Sequence, residues 1–112
     1  MTTHISRDDL RAAIDAGTVT VVDALGGDYY ARAHLPGAVP LVEADVAAHA
    51  ARLLPDRSAP IVTYCTGVTC PNSRRVADRL TALGYTDVRT YHEGIEDWTA
   101  AGLPVESGAL VA

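Results

Sequence analysis

Short runs of β-branched residues alternate along this chain with segments of helical periodicity, and that alternation limits the possible folds more than any other feature. Thr18–Asp23 reads Thr-Val-Thr-Val-Val-Asp, Pro60–Tyr64 reads Pro-Ile-Val-Thr-Tyr, and Thr86–Tyr91 is a third run of the same kind. A shorter strand is expected near Val39–Leu41. Between these runs, Leu10, Ala13 and Ile14 share a helical face behind Ser6 and Asp9, a spacing related to the capping box, and Gly17 ends that segment. A helical turn is expected at Tyr29–Ala33. Val46, Ala47, Ala50, Leu53 and Leu54 stripe another helix that Pro55 stops, and Val76, Ala77, Leu80 and Leu83 stripe the next, before Gly84. A last helix is expected over Ile95–Ala101, ahead of Gly102. The first two runs are short and rich in β-branched residues, as buried strands are, and strands alternating with helices imply a parallel sheet covered on both faces. The expected fold is α/β: a parallel sheet of four to five strands with helices on both faces.

At 112 residues, 48% of them apolar, the chain is long enough to close one core and is expected to be a single domain over 1–112. Fourteen acidic against nine basic side chains give a net charge of -5. No basic stripe could neutralise phosphates, so no nucleic-acid partner is expected. No apolar stretch approaches the roughly 20 residues that cross a bilayer, and Met1-Thr2-Thr3-His4 lacks the pattern of a signal peptide. A cytoplasmic protein without a membrane partner is expected. Two cysteines in a reducing compartment are thiols with chemistry or core filling, rather than a disulfide scaffold.

The segment richest in chemistry is Tyr64-Cys65-Thr66-Gly67-Val68-Thr69-Cys70-Pro71-Asn72-Ser73-Arg74, between the second long strand and the helix striped by Val76. Cys65 falls at the carboxyl end of that strand, the edge of an open α/β sheet where ligands bind. A loop running into a helix N-terminus turns backbone N–H groups inward and favours an anion, thiolate or persulfide. Two readings are open for Cys65: an activated nucleophile titrating well below the ordinary thiol value of about 8.5, or a buried strand-end cysteine. Gly67 allows close backbone approach. Thr66, Gly67, Val68, Thr69, Cys70 and Arg74 are the candidate substrate contacts around Cys65. Cys70 either resolves a disulfide with Cys65 or packs at the helix start, and packing is preferred. Asp23 either orients Arg74 or another loop neighbour or satisfies local backbone donors, and the structural role is preferred. His4, His49 and His92 lack paired spacing, so no metal site is expected.

Four blocks in order make the chain similar to the rhodanese family from about Ser6 to Val105. They are Val22-Asp23, His34-Leu35-Pro36-Gly37-Ala38, the stretch Ile61–Ser73, and Gly94 with Trp98, Gly102 and Pro104. The resemblance implies a cofactor-free, ping-pong sulfurtransferase. In it the loop cysteine, here Cys65, takes a sulfane sulfur from a small-molecule or protein donor as a persulfide and passes it to a thiol or cyanide acceptor. It also assigns His34 to a turn; Trp98, with Ile95, is expected from its own position to pack the last helix on the sheet. The chain departs from the family pattern: Asn72 stands where an Arg commonly precedes the Ser that opens the helix, and the loop is about two residues longer. Thiosulfate would then depend on backbone donors and Arg74. Phosphatase-like relatives need an Arg six residues after the nucleophile, where this chain has Pro71. The competing expectation is a non-catalytic binding or redox-sensing module.

Overall fold

The structure is a computed structural model describing residues 3–108. Met1 and Thr2, which the signal-peptide reading used, lie outside the described residues. Five strands form one sheet: β1 (Thr3–His4), β2 (Thr20–Asp23), β3 (Val39–Pro40), β4 (Ile61–Tyr64) and β5 (Val88–Tyr91). Their order across the sheet is β1-β5-β4-β2-β3 and every pairing is parallel. The five-stranded parallel α/β architecture is the one the alternating pattern predicts. β1 was not anticipated, because two residues are too short to carry a periodicity. Only its pairing with β5, Thr3 beside Arg89 and His4 beside Thr90, makes it a strand.

The helices are α1 (Arg7–Ala16), α2 (Gly27–Arg32), α3 (Val46–Leu53), α4 (Asn72–Ala82) and α5 (Gly94–Ala100). Ser6 Oγ accepts the Asp9 N–H at 3.1 Å, and Gly17 closes α1 at φ 70°, so both ends of α1 follow the local signals. The segment before α3 is a 3₁₀ turn over Glu43–Asp45 rather than regular helix. α4 begins directly after Pro71, four residues ahead of its first apolar stripe residue, so the loop's last residues already belong to the helix.

Successive strand residues face opposite sides, and both sides are covered. On one, Val22, Ile61 and Cys65 pack with Val46 and Ala50 of α3 and Val76 and Leu80 of α4. On the other, Val21, Val62, Tyr64 and Tyr91 pack with Leu10 of α1, Tyr30 of α2 and Trp98 of α5. Burying a side chain such as Leu80 completely contributes about 1.5–3 kcal/mol. From β2 the chain passes through α2 to β3 at one edge, whereas from β4 it passes through α4 to β5 on the other side. β2 and β4 are neighbours whose connections diverge, so the carboxyl end of β4 lies at the topological switch point of the sheet.

Candidate functional site

β4 is buried along its whole length and delivers Cys65, 1% exposed, to that edge. The Cys65 thiol donates to the Cys70 carbonyl at 3.2 Å and lies 3.4 Å from Ser73 Oγ. The Ser73 N–H also reaches the Cys65 sulfur. Ser73 is itself fixed: it is buried in the first turn of α4, and Thr63 Oγ1 of β4 donates to its carbonyl at 2.8 Å. The loop carbonyls are held from the other side. Ile95 N–H bonds the Cys65 carbonyl and Glu96 N–H the Thr66 carbonyl, each at 2.9 Å, so the start of α5 takes up these acceptors. Gly94 permits this contact; its φ is 70°, and a Cβ there would stand 2.6 Å from the Cys65 and Thr66 backbone. At Gly67 a Cβ would collide with the Glu96 carboxylate.

The expectation that Cys65 titrates well below an ordinary thiol is reversed. Burial pushes its pKa up, as does the hydrogen bond it makes to Cys70, and the Ser73 hydroxyl and N–H only partly oppose this. Cys70 carries the lowered thiol. Burial alone would raise it, but hydrogen bonds from the Cys65 thiol, the Asn72 N–H and the Thr66 hydroxyl and N–H together bring it down. The anion nest foreseen in the loop therefore closes around the sulfur of Cys70, and the two thiols share one hydrogen-bonded system. Both are free thiols.

A cavity of about 190 Å³ opens beside the loop, lined by Val68, Thr69, Cys70, Pro71, Ser73 and Arg74 and, from β1 and β5, by His4, Thr90 and His92. Among the described residues no acidic side chain lines it. A second cavity of about 220 Å³ lies among Ile5, Thr18, Pro60 and Arg89, with no cysteine near it. We take the smaller of these two as the candidate site, because Cys70 borders it and the Cys65 thiol lies directly behind its wall. Of the candidate contacts, Val68, Thr69, Cys70 and Arg74 line it. Thr66 instead holds the Cys70 sulfur, Gly67 packs against α5, and Cys65 lies behind the wall rather than on it.

Ser73, Thr90, His4 and His92 were missed. Thr90 Oγ1 is buried and lacks a hydrogen-bond partner among the described residues, although it borders the cavity. The imidazoles of His4 and His92, 88 positions apart, stack with centroids 5.1 Å apart because β1 pairs with β5. Only the strand order brings them together. Asp23 does not meet Arg74: its carboxylate accepts from Leu25 N–H at 2.8 Å, Gly26 N–H at 3.2 Å and Tyr64 O–H at 2.6 Å. His34 Nδ1 lies 2.7 Å from the Tyr30 carbonyl, its ring stacked on Tyr30 within the turn. Among the described residues no group of three or more His, Cys, Asp or Glu is arranged to hold a metal, and no helix is long and apolar enough to cross a membrane.

Comparison with known proteins bears on the fold and the family. A protein of Bacillus halodurans has the same fold, with TM-score 0.86 and 26% identity over 95% of this chain and 77% of that one. A thiosulfate sulfurtransferase of Pseudomonas aeruginosa superimposes with TM-score 0.77 and 24% identity, over 96% of this chain but 20% of its own. An HTH-type transcriptional regulator of Mycobacterium tuberculosis is 36% identical over 110 residues; the match spans 96% of this chain and 46% of the regulator, so the chain accounts for about half of that relative. The sequence profile of the Rhodanese-like domain matches residues 6–101, from the cap of α1 through the cysteine loop to the end of α5. With a parallel five-stranded sheet whose central strand ends on the loop cysteine, the chain belongs to the rhodanese-like domain family.

Proposed function

We propose that the domain is a sulfurtransferase in which Cys65 carries sulfane sulfur as a persulfide from an anionic donor to a thiol or cyanide acceptor. The observation that carries this reading is the position of the Cys65 sulfur: it ends the central strand, meets the Ser73 N–H at the start of α4, and is hydrogen-bonded to a more acidic thiol beside a cavity free of carboxylates. Two interacting thiols lose their first proton as a pair. Transfer of the Cys65 proton to the Cys70 thiolate along their hydrogen bond makes Cys65 the attacking sulfur. With thiosulfate, the Cys65 thiolate attacks the outer sulfur, the donor S–S bond breaks, and sulfite leaves with the electron pair. Arg74, Thr90 Oγ1 and the imidazoles of His4 and His92 are the donors available to an oxyanion in the cavity.

The second reading is a binding or redox-sensing module, favoured by the relative named as a transcriptional regulator, of which the matched region is 46%. Mass spectrometry after incubation with thiosulfate or an aromatic thiosulfonate separates the two. The enzyme takes one sulfur atom from the donor onto Cys65, recovered on the Cys65 peptide or as its product (thiocyanate, a persulfide or sulfide), and Cys65→Ser takes up none. An unmodified wild-type protein with both donors favours the module and overturns the transferase.

A further inference from the structure

We propose that Cys70 is a resolving cysteine that discharges the Cys65 persulfide as hydrosulfide, making the domain a dithiol-driven reductase of sulfane sulfur. This rests on the reading of Cys65 as the persulfide carrier and extends it with a second half-reaction inside the loop.

The geometry places the partner for this step before any donor binds. Four residues separate the cysteines, and the Cys70 N–H donates back to the Gly67 carbonyl at 3.1 Å, folding the loop into a turn. The single Cys65 thiol proton is shared between the Cys70 carbonyl, 3.2 Å away, and the Cys70 sulfur. A simple packing role for Cys70 needs none of the polar surroundings its sulfur has. The Thr66 N–H and hydroxyl and the Asn72 N–H all point at it, and they remain after Cys65 has lost its S–H to a persulfide. These donors favour a thiolate, the attacking species in thiol–disulfide exchange. The two sulfurs also differ in access: Cys65 is 1% exposed, whereas Cys70 borders the cavity.

The step balances without an external oxidant. The Cys70 thiolate attacks Cys65 Sγ, the inner sulfur of the persulfide. An Sγ–Sγ bond forms, the persulfide bond breaks, and its electron pair leaves on the outer sulfur as hydrosulfide. Cys70 is oxidised and the outer sulfur is reduced. Hydrosulfide is a better leaving group than an alkyl thiolate, which favours attack at the inner sulfur. The product is a Cys65–Cys70 disulfide, and a further turnover requires a dithiol reductant to open it by exchange.

The test is a single turnover under anaerobic conditions with thiosulfate, and in parallel with an aromatic thiosulfonate, without added thiol. Wild-type protein is expected to release one equivalent of sulfide and to end with a linked Cys65–Cys70 peptide lighter by two hydrogens. Cys70→Ser is expected to take up the sulfur, hold it on Cys65, and release no sulfide. Wild-type protein that loads and keeps its sulfur overturns the resolving role and leaves the transferase intact. Sulfane sulfur recovered on Cys70 likewise overturns it. Failure of wild-type protein to load from either donor overturns the transferase and this inference together.

Discussion

Cys65 and Cys70 show how a site residue's chemistry depends on what its neighbours donate. Both sit in one loop, yet Cys65 faces burial and an acceptor carbonyl while Cys70 faces a set of N–H and O–H donors. Thiolate reactivity follows the proton. A thiol with a lowered pKa is already ionised at pH values where a free cysteine, at about 8.5, is not, and one with a raised pKa requires more alkaline solution. Iodoacetamide labelling across pH is therefore expected to modify Cys70 with a midpoint below that of a free thiol and Cys65 with one above it. Cys65→Ala removes a donor from the Cys70 sulfur and is expected to move the Cys70 midpoint upward. Identical midpoints for the two cysteines would contradict the assignment of donors. Thr63 acts one step further back, because its hydroxyl holds the carbonyl of Ser73. Thr63→Val removes that bond and is expected to cost about 1–2 kcal/mol in denaturant unfolding.

At the scale of elements, the loop is held between the first turn of α4 and the start of α5, and the second contact is the more demanding. Gly94 adopts φ 70° against the backbone of Cys65 and Thr66. Gly94→Ala adds left-handed strain of about 1–3 kcal/mol and a collision with backbone that has no flexible end to give way. It is expected to lower the melting temperature and to abolish persulfide loading together. Ser6→Ala, which removes the cap of α1 on the far side of the sheet, is expected to cost about 1 kcal/mol with loading retained. If Gly94→Ala loses stability but loads sulfur normally, α5 does not position the loop.

For the whole molecule, the buried network of Asp23, Tyr64 and Leu35 ties the ends of β2 and β4 to the turn after α2: Tyr64 O–H donates to Asp23 at 2.6 Å and accepts from the Leu35 N–H at 3.1 Å. Burial, then the adjacent Asp23 carboxylate, pushes the Tyr64 pKa far above its usual value near 10. The folded state therefore keeps the Tyr64 proton at pH values where the unfolded chain releases it. With more protons bound in the folded state, stability falls as pH rises above about 10, at roughly 1.4 kcal/mol per pH unit for this group. Denaturant unfolding between pH 9 and 11 is expected to show that decline, and Tyr64→Phe to be less stable at pH 8 but with a shallower alkaline slope. An unchanged slope in Tyr64→Phe would assign the decline to other groups.

The five principal helices, the three longer strands, the caps Ser6 and Gly17 and the switch-edge position of Cys65 were all legible in local sequence. Periodicity, β-branching and capping act over a few residues and need no knowledge of the rest of the chain. Asp23, too, was readable as a local acceptor, though its bond to Tyr64 spans 41 positions. The tertiary structure alone decided which thiol is the acid and what lines the cavity. β1 became a strand only by pairing with β5, and that pairing brought His4 beside His92 and along the wall that Thr90 borders. The pKa order of Cys65 and Cys70 depends on where Thr66, Asn72 and Ser73 direct their hydrogens. A loop's sequence names its donors, but their directions follow from how α4 and α5 pack against the sheet, because hydrogen bonding and desolvation are set by neighbours in space rather than along the chain.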